Sequence, residues 1–211
     1  MKKQEWRKHE KEYYMPKSKP MQIDIPPFKY ITIAGEGSPA SESFSNFIGV
    51  LYSVAYAIKM NLKRNSVKPT GYCDYTVYPL EGVWDLNEEA RQNYDGTFNK
   101  DDLVFKLMIR QPGFVKATFF KEMIRITKVK KPNELLDYVQ FKEIKDGLCV
   151  QMLHMGSYDD EPQSFAIMEE FASKENLQRT SKAHREIYLS DFRKVPSDKL
   201  KTVLRFKVQN L

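Results

Sequence analysis

The sequence predicts an α+β fold in which a strand-helix-strand-strand unit occurs twice and its strands form an antiparallel sheet. The prediction depends on a repeated pattern: near Ile31 and again near Val150, an alternating strand reaches a glycine, then a polar loop containing proline, then Ser-Phe. The Gly35–Phe44 and Gly156–Phe165 separations are both nine positions. Self-similarity of this kind is typical of duplicated architectures, and the elements that follow come in the same order in both copies.

The first repeat continues from its strand at Ile31 into a helix and two more strands. The helix is indicated by apolar residues at helical spacing, namely Phe44, Phe47, Ile48 and Leu51. Ser41 is its expected N-cap. The segment "YCDYTVYPLEG" (72–82) reads as a strand that ends at proline and glycine, and "LVFKLMIR" (103–110) closes the repeat as an alternating strand.

The segment between the repeats predicts one helix and a hairpin. Residues 111–132 have apolar side chains at near-helical spacing, and Pro132 ends the helix. Two strands then flank Asp146-Gly147, a dipeptide that is a strong hairpin signal. The sequence therefore predicts that these two strands pair with each other.

The second repeat has the same order of elements. Its helix is indicated by Phe165, Met168 and Ala172, with Asp160 as the expected cap. The segment "HREIYLSD" (184–191) reads as a short strand, and "KTVLRFKV" (201–208) closes the repeat.

The whole of 21–211 is predicted to be a single domain made of two repeats, at about 28–110 and 147–208. Because each repeat is too small to bury a large core alone, we expect one joint sheet with the helices on one face and a ligand cleft on the other. Residues 1–20 form a charged N-terminal arm that contains Trp6 and Tyr14. This arm either packs on the domain or stays loose.

Composition excludes several classes of protein. The 211 residues carry a net charge of +6, but lysines are mixed with acidic residues and no nucleic-acid-binding signature occurs, so direct nucleic-acid binding is not expected. No apolar run is long enough to span a membrane and no signal-peptide core is present, which predicts a soluble cytoplasmic protein. Two distant cysteines fit a reducing compartment. Phosphate-binding glycine motifs, HExxH, GxSxG and Cys/His clusters are absent, so neither a metal nor an organic cofactor is expected.

The strand "HREIYLSD" carries the main candidate site. Because side chains alternate along a strand, His184, Glu186 and Tyr188 share one face, while the other face has the pattern of ordinary core. Glu186 is either a solvated surface residue or a charge held in a pocket. In a pocket it could bind a ligand cation or accept a proton from an attacking water.

Aromatic residues of the first repeat extend this candidate site. Aligning the second strands of the two repeats makes Tyr75 the counterpart of Glu186, so Tyr75 would face the pocket from the other side of a pseudo-twofold axis. Tyr78 points away from Tyr75 in a regular strand, but Pro79 can end the strand and redirect it.

Four further residues are candidate ligand contacts. Trp84 either stacks on a flat ligand and attracts its cation or belongs to the core. Glu81 either contacts a ligand or only forms a salt bridge or binds a backbone amide near the turn. His154 lies on an interior strand, where a hydrogen-bonded structural histidine is the commoner case. Phe192 either lines the pocket or packs after the turn.

Three segments carry a family resemblance: "PLEGVW" (79–84), "GLCVQMLHMGSYDDEPQSFAIMEEF" (147–171) and "HREIYLSDFRKVPSDKLKTVLRFKV" (184–208). With the duplicated unit, they resemble the GyrI-like small-molecule-binding family over about residues 20–208, and more narrowly its free-standing bacterial members. The resemblance implies binding of amphipathic, aromatic or cationic drugs in a cleft between the repeats. It also implies that a buried glutamate at the position of Glu186 faces the ligand among aromatic side chains.

The resemblance also indicates an activity. Some family members are fused to DNA-binding helices and act as drug-sensing regulators, a role not expected for this chain, which lacks such a module. A free-standing subfamily is associated with hydrolysis of cyclopropane-bearing DNA-alkylating natural products in an aromatic cage. In that reading Glu186 positions or deprotonates water, and Tyr75 or Tyr188 donates a hydrogen bond to the ligand carbonyl.

Two alternatives to hydrolysis stay open at this point. The first is a non-catalytic protein that sequesters drugs or presents a ligand to a partner protein, using the same residues. The second is a protein that binds a macromolecule, such as a topoisomerase, by its exposed surface.

Overall fold

The computed structural model describes residues 3–95, 97 and 99–211; positions 1 and 2 of the predicted arm and positions 96 and 98 of the first repeat lie outside them. The chain forms two compact units. Unit 1 contains Phe28–Leu80, Leu86–Ile144 and the described residues up to Glu5, and unit 2 contains Trp6–Pro27, Glu81–Asp85 and Lys145–Leu211. The predicted domain and repeat boundaries stay predictions.

In chain order the helices and strands are α1 (Trp6–His9), α2 (Lys11–Tyr14), β1 (Met21–Ile25), β2 (Phe28–Glu36), α3 (Glu42–Arg64), β3 (Leu80–Leu86), α4 (Glu88–Gln92), β4 (Leu103–Gln111), α5 (Ala117–Lys130), β5 (Gln140–Ile144), β6 (Gly147–Met155), α6 (Glu161–Lys174), β7 (Leu177–Arg179), β8 (His184–Tyr188) and β9 (Lys201–Asn210).

The predicted α+β class and the order of elements are confirmed. The first repeat runs β2, α3, β3, β4, and the second runs β6, α6, β8, β9 with the short β7 inserted before β8. The named strands pair antiparallel. Among the described helices, none is both long and apolar enough to cross a membrane.

Unit 1 is built on β2, which pairs with β4 on one side and β5 on the other. Helix α3 packs on β2, β4 and α5. It begins as predicted at Ser41, whose Oγ accepts a hydrogen bond from the Phe44 amide. Phe44 and Leu51 are buried, so the apolar stripe read from the sequence is the face that packs on the sheet.

Gly35 in β2 leaves no room for a side chain. A Cβ at this position would lie 2.6 Å from the Phe105 ring and 2.9 Å from the Phe47 ring. Gly35→Ala is therefore expected to destabilise the protein by about 1–3 kcal/mol through overpacking, measured by urea unfolding. Gly49→Ala is the matched control, because its Cβ would meet no atom within 4 Å and alanine favours a helix interior. Equal destabilisation by both substitutions would contradict this explanation.

Unit 2 is built on strands in the order β1, β6, β9, β8, β3, with β7 pairing with β9. Helix α6 packs on β6 and β7. A buried apolar core joins this helix to the sheet; its members are Val150, Met152, Met168, Ala172, Leu177, Leu204, Phe206 and Val208.

The strand predicted at residues 72–82 was wrongly located. Residues 72–79 are irregular apart from a single bridge between Gln4 and Tyr75, and β3 begins at Leu80. The aromatic run has strand propensity, but propensity depends on pairing partners, and Pro79 cannot donate to a ladder. The repeat alignment that made Tyr75 the strand counterpart of Glu186 is therefore wrong.

The hairpin predicted at Asp146-Gly147 is also wrong. β5 pairs with β2, whereas β6 pairs with β1 and β9. Gly147 does have a positive φ of 71°, as a turn requires. Both sides of β6 are already occupied by its own partners, so the turn redirects the chain without forming a two-stranded ribbon.

The predicted N-terminal arm contributes to the core of unit 2. Trp6 and Tyr14 are buried, with relative exposures of 5% and 2%, and their rings lie 5.4 Å apart. The Arg205 guanidinium on β9 donates to the Tyr13 carbonyl at 2.8 Å. Aromatic burial and a backbone hydrogen bond therefore order this segment, even though its surface is highly charged.

Candidate functional site

The candidate site in unit 2 is organised by the pairing of β8. Glu186 lies directly opposite Gly82 on β3 and Leu204 on β9, and His184 lies opposite Trp84. Directly opposite residues in antiparallel strands share a face, and Leu204 belongs to the core under α6. Glu186 therefore lies on the face that α6 covers. This corrects the expectation that Glu186 faces the side of the sheet opposite to the helices.

Three polar side chains meet on this face, and we call them the carboxylate site: Glu161, His184 and Glu186. One potential ligand atom from each lies within 4.8 Å of the others. His184 Nε2 is 3.1 Å from Glu186 Oε1. Glu161 is the first residue of α6, and both glutamates are more than nine-tenths buried. Two buried carboxyl groups this close require a proton, a cation or donors to offset the cost of burial.

The Glu161 carboxyl group lies in surroundings that disfavour its charged form. Burial, followed by the negative charge of Glu186 and a hydrogen bond to it, raises the pKa of Glu161 far above its usual range. The protonated form of Glu161, which can donate to the Glu186 carboxylate, is therefore favoured.

Three aromatic side chains lie beside the carboxylate site, and we call them the aromatic wall: Trp84, Tyr158 and Tyr188. Trp84 Nε1 donates to the Tyr188 hydroxyl at 2.8 Å, and the Tyr158 and Tyr188 rings meet edge-on at 6.0 Å. Burial, followed by the negative charge of Glu186, raises the pKa of both tyrosines. Both phenols therefore stay neutral hydrogen-bond donors at physiological pH.

Glu81 lies on the opposite face of the sheet, one position before Gly82. It is fully buried, where Arg185 Nη1 donates to its Oε2 at 2.7 Å and the Tyr14 hydroxyl donates to its Oε1 at 3.5 Å. Arg185 also binds Asp146 at 2.9 Å. Of the alternatives that the sequence left open for Glu81, the structure shows the salt bridge. We call Glu81, Asp146 and Arg185 the arginine cluster.

His154 makes its hydrogen bonds to residues outside the carboxylate site. His154 is 4% exposed, and its Nε2 is 2.9 Å from the Ser157 carbonyl. Since a carbonyl only accepts, Nε2 carries the proton, and Nδ1 accepts from the Ser164 hydroxyl at 2.9 Å. This histidine ties the loop before α6 to the sheet. Phe192 follows β8 and is half exposed, at 49%.

Tyr75 and Tyr78 belong to unit 1. Tyr75 is 2% exposed, its ring contacts Phe114 at 6.0 Å, and burial is the largest cause that raises its pKa. The Arg110 guanidinium lies 4.8 Å from the Tyr78 ring centroid. That these two tyrosines share a site with Glu186 stays a prediction.

Sequence reasoning missed Glu161 and Tyr158. Both lie in "SYDDEP", a run of acidic residues at a helix start, and such runs are common because they complement the helix dipole. No local signal distinguishes Glu161 from its neighbours Asp159 and Asp160. Its role depends on where α6 begins relative to β8.

Asp146 makes the arginine cluster sensitive to acid. Burial alone would raise the pKa of Asp146, but Arg185, with smaller help from Arg205 and Lys207, holds it below its usual value. Such a group stabilises the folded state above its unfolded pKa, and that stability is lost as the pH falls through the folded pKa.

We therefore expect the urea midpoint of the wild-type protein to fall as the pH drops below about 4, the pKa of an aspartate in the unfolded chain. Asp146→Asn should be less stable at neutral pH and should show a smaller fall in acid. Asp198→Asn, at an exposed position, should keep the wild-type profile. A profile for Asp146→Asn that parallels the wild type would exclude this residue as a source of the acid sensitivity.

The sequence match identifies the family. The profile of the GyrI-like small molecule binding domain matches residues 18–209. The chain therefore belongs to the GyrI-like family, as its resemblance predicted, and is a small-molecule-binding protein of that class.

Solved structures support the same assignment. A hydrolase from Listeria innocua is 33% identical with a TM-score of 0.88, over 99% of this chain and 100% of that chain. Another hydrolase structure from Listeria innocua is 32% identical with a TM-score of 0.86, over 98% and 100%. The C-terminal domain of EcmrR shares the fold alone, at 14% identity and a TM-score of 0.56, over 92% and 98%. None of the curated proteins compared with the chain matches it significantly.

Proposed function

We propose that this protein binds aromatic, amphipathic xenobiotics at the carboxylate site and hydrolyses cyclopropane-bearing DNA-alkylating compounds by adding water. The observation that carries the proposal is the Glu186 carboxylate, which is 8% exposed and lies beside the aromatic wall. The hydrolases from Listeria innocua that resemble this chain along nearly its whole length support the catalytic part.

Binding follows from the chemistry of the aromatic wall and the carboxylates. Indole and phenol rings stack on flat aromatic ligands and attract cations at their faces. A carboxylate buried beside them gains when a cationic or hydrogen-bond-donating ligand replaces the lost water. These two features together favour ligands that are planar, largely apolar and polar at one end.

The proposed reaction needs one water and no redox partner. In the substrate a cyclopropane is conjugated to a dienone, so ring opening produces an aromatic phenol. Glu186 takes a proton from water while the water oxygen forms a bond to a cyclopropane carbon. The opposing carbon–carbon bond breaks, its electron pair enters the ring as phenolate, and the proton held by Glu186 finally reaches that oxygen.

A tyrosine hydroxyl stabilises the charge that develops on the carbonyl oxygen. Tyr188 is the candidate within unit 2, because its raised pKa keeps it protonated.

A second candidate function is sequestration without turnover. Two buried carboxyl groups beside aromatic rings are sufficient to hold an organic cation, and this requires no reaction. Sequestration and hydrolysis use the same residues, so only product formation separates them.

The test is incubation of the purified protein with a cyclopropane-bearing alkylator, followed by mass spectrometry of the small molecule. Hydrolysis predicts a product heavier by one water. In parallel, the compound is titrated into Trp6→Phe protein, in which Trp84 is the remaining tryptophan. Saturable quenching without product supports sequestration, and absence of both would overturn the proposed function.

A further inference from the structure

We propose that Glu161, His184 and Glu186 bind a divalent transition-metal ion, with Zn²⁺ as the best-suited candidate. The three side chains come from the first turn of α6 and from alternate positions of β8. One nitrogen and two carboxylate oxygens lie within 4.8 Å of one another. This inference goes beyond the proposed function and concerns the same carboxylate: an ion bound to Glu186 would occupy the group that acts there as the base.

The spacing of the donor atoms fits one ion. Zinc binds histidine nitrogen and carboxylate oxygen at about 2.0–2.2 Å, so two ligands of a tetrahedral ion lie roughly 3.3 Å apart. His184 Nε2 and Glu186 Oε1 are 3.1 Å apart, which already matches. The Glu161 oxygen lies within 4.8 Å of the other two donor atoms and would have to move closer to them to share an ion.

A cation would offset the charge of the site in place of a proton on Glu161. Glu161 and Glu186 are 6% and 8% exposed, and water therefore does little to stabilise either carboxylate. Among the described residues, Glu161 Oε1 is fully buried without a hydrogen-bond partner. A dication would bind this oxygen and neutralise both carboxylates together. A single proton shared between the two carboxylates neutralises only one of their charges.

The donor set selects the class of metal. One imidazole and two carboxylates, without a thiolate, suit Zn²⁺, Mn²⁺ or Fe²⁺ rather than the softer Cu⁺. Three protein ligands leave a coordination position for water, as in catalytic zinc sites. An ion held here would supply a bound water that ionises near neutral pH.

The test uses the full-length, chelator-treated protein titrated with Co²⁺, a spectroscopic substitute for Zn²⁺. We expect a visible absorption band at one equivalent, its loss on addition of Zn²⁺, and quenching of Trp84 fluorescence in the Trp6→Phe background. Mutation of a residue that only supports a metal ligand costs about 10–100-fold in metal affinity. Because Glu161 and His184 would be ligands themselves, Glu161→Gln and His184→Gln should each weaken Co²⁺ binding at least ~100-fold. Glu170→Gln, an exposed position on the same helix, should bind as the wild type does.

Two results would overturn the metal site: Co²⁺ that keeps the spectrum of the free ion in the presence of wild-type protein, or a band that survives both substitutions. Circular dichroism of the variants checks that they fold, and the wild-type titration decides the question if they do not. Ligand quenching of metal-free protein tests the proposed function separately, so either idea can fail without the other.

Discussion

Glu186→Gln is expected to lower the rate of cyclopropane hydrolysis by about 10²–10⁴-fold, the range that a general base supplies. The amide has the same shape as the carboxylate but cannot accept the proton of the attacking water. The measurement is single-turnover product formation followed by mass spectrometry, on protein treated with chelator so that no bound metal contributes.

Binding in the same variant separates a chemical role for Glu186 from a structural one. A neutral planar ligand should still quench Trp84 saturably, because the aromatic wall is unchanged, whereas a cationic ligand should bind more weakly. Glu170→Gln, which removes an exposed carboxylate paired with Lys174, serves as the control for both measurements. A Glu186→Gln protein that hydrolyses at the wild-type rate would exclude Glu186 as the base.

The second large effect is expected from Glu81→Gln, which should destabilise the protein by about 3 kcal/mol, the lower end of the range for breaking a buried ion pair. The side chains of Arg185 and Glu81 are 4% and 1% exposed. Without the Glu81 charge, Asp146 is the remaining carboxylate of the arginine cluster that pairs with the Arg185 guanidinium. The free-energy cost of burying the Arg185 charge is then offset less well.

Urea unfolding at neutral pH measures this change. Glu170→Gln is again the matched control, because its pair with Lys174 is solvent-exposed, and exposed pairs contribute at most about 1 kcal/mol. If both substitutions shift the midpoint equally, the arginine cluster does not stabilise the fold beyond an ordinary surface pair.

Much of the fold could be predicted from the spacing of apolar residues and from the order of the helices and strands along the chain. The strands read at 103–110 and 201–208 are β4 and β9 with one or two added residues. Both segments are rich in strand-favouring residues, and each has five consecutive buried residues, so both of its faces are covered. The run 72–82 misled the prediction because aromatic residues favour strands wherever a partner exists. Here the partner of β8 is the later segment that starts after Pro79.

The candidate site was predictable only where neighbours in sequence share a face. Alternation along β8 correctly grouped His184, Glu186 and Tyr188. The alternatives for Glu81 could not be separated from the sequence, because a single step along β3 moves a side chain to the other face. Glu161 could not be found, since its contact with Glu186 depends on tertiary packing of α6. Because the three candidate metal ligands come together only through this packing, no metal-binding motif of fixed spacing marks them in the sequence.

The placement of β3 has a consequence for how the site is assembled during folding. Residues 81–85 belong to unit 2 although the chain on both sides of them belongs to unit 1, and the Trp84–Tyr188 hydrogen bond joins residues 104 positions apart. Contacts of such long range close large loops and form late. A nascent or truncated chain that ends before β8 therefore lacks Glu186 and Tyr188 of the proposed ligand site. Ligand protection against proteolysis should consequently appear only after the C-terminal strands have formed.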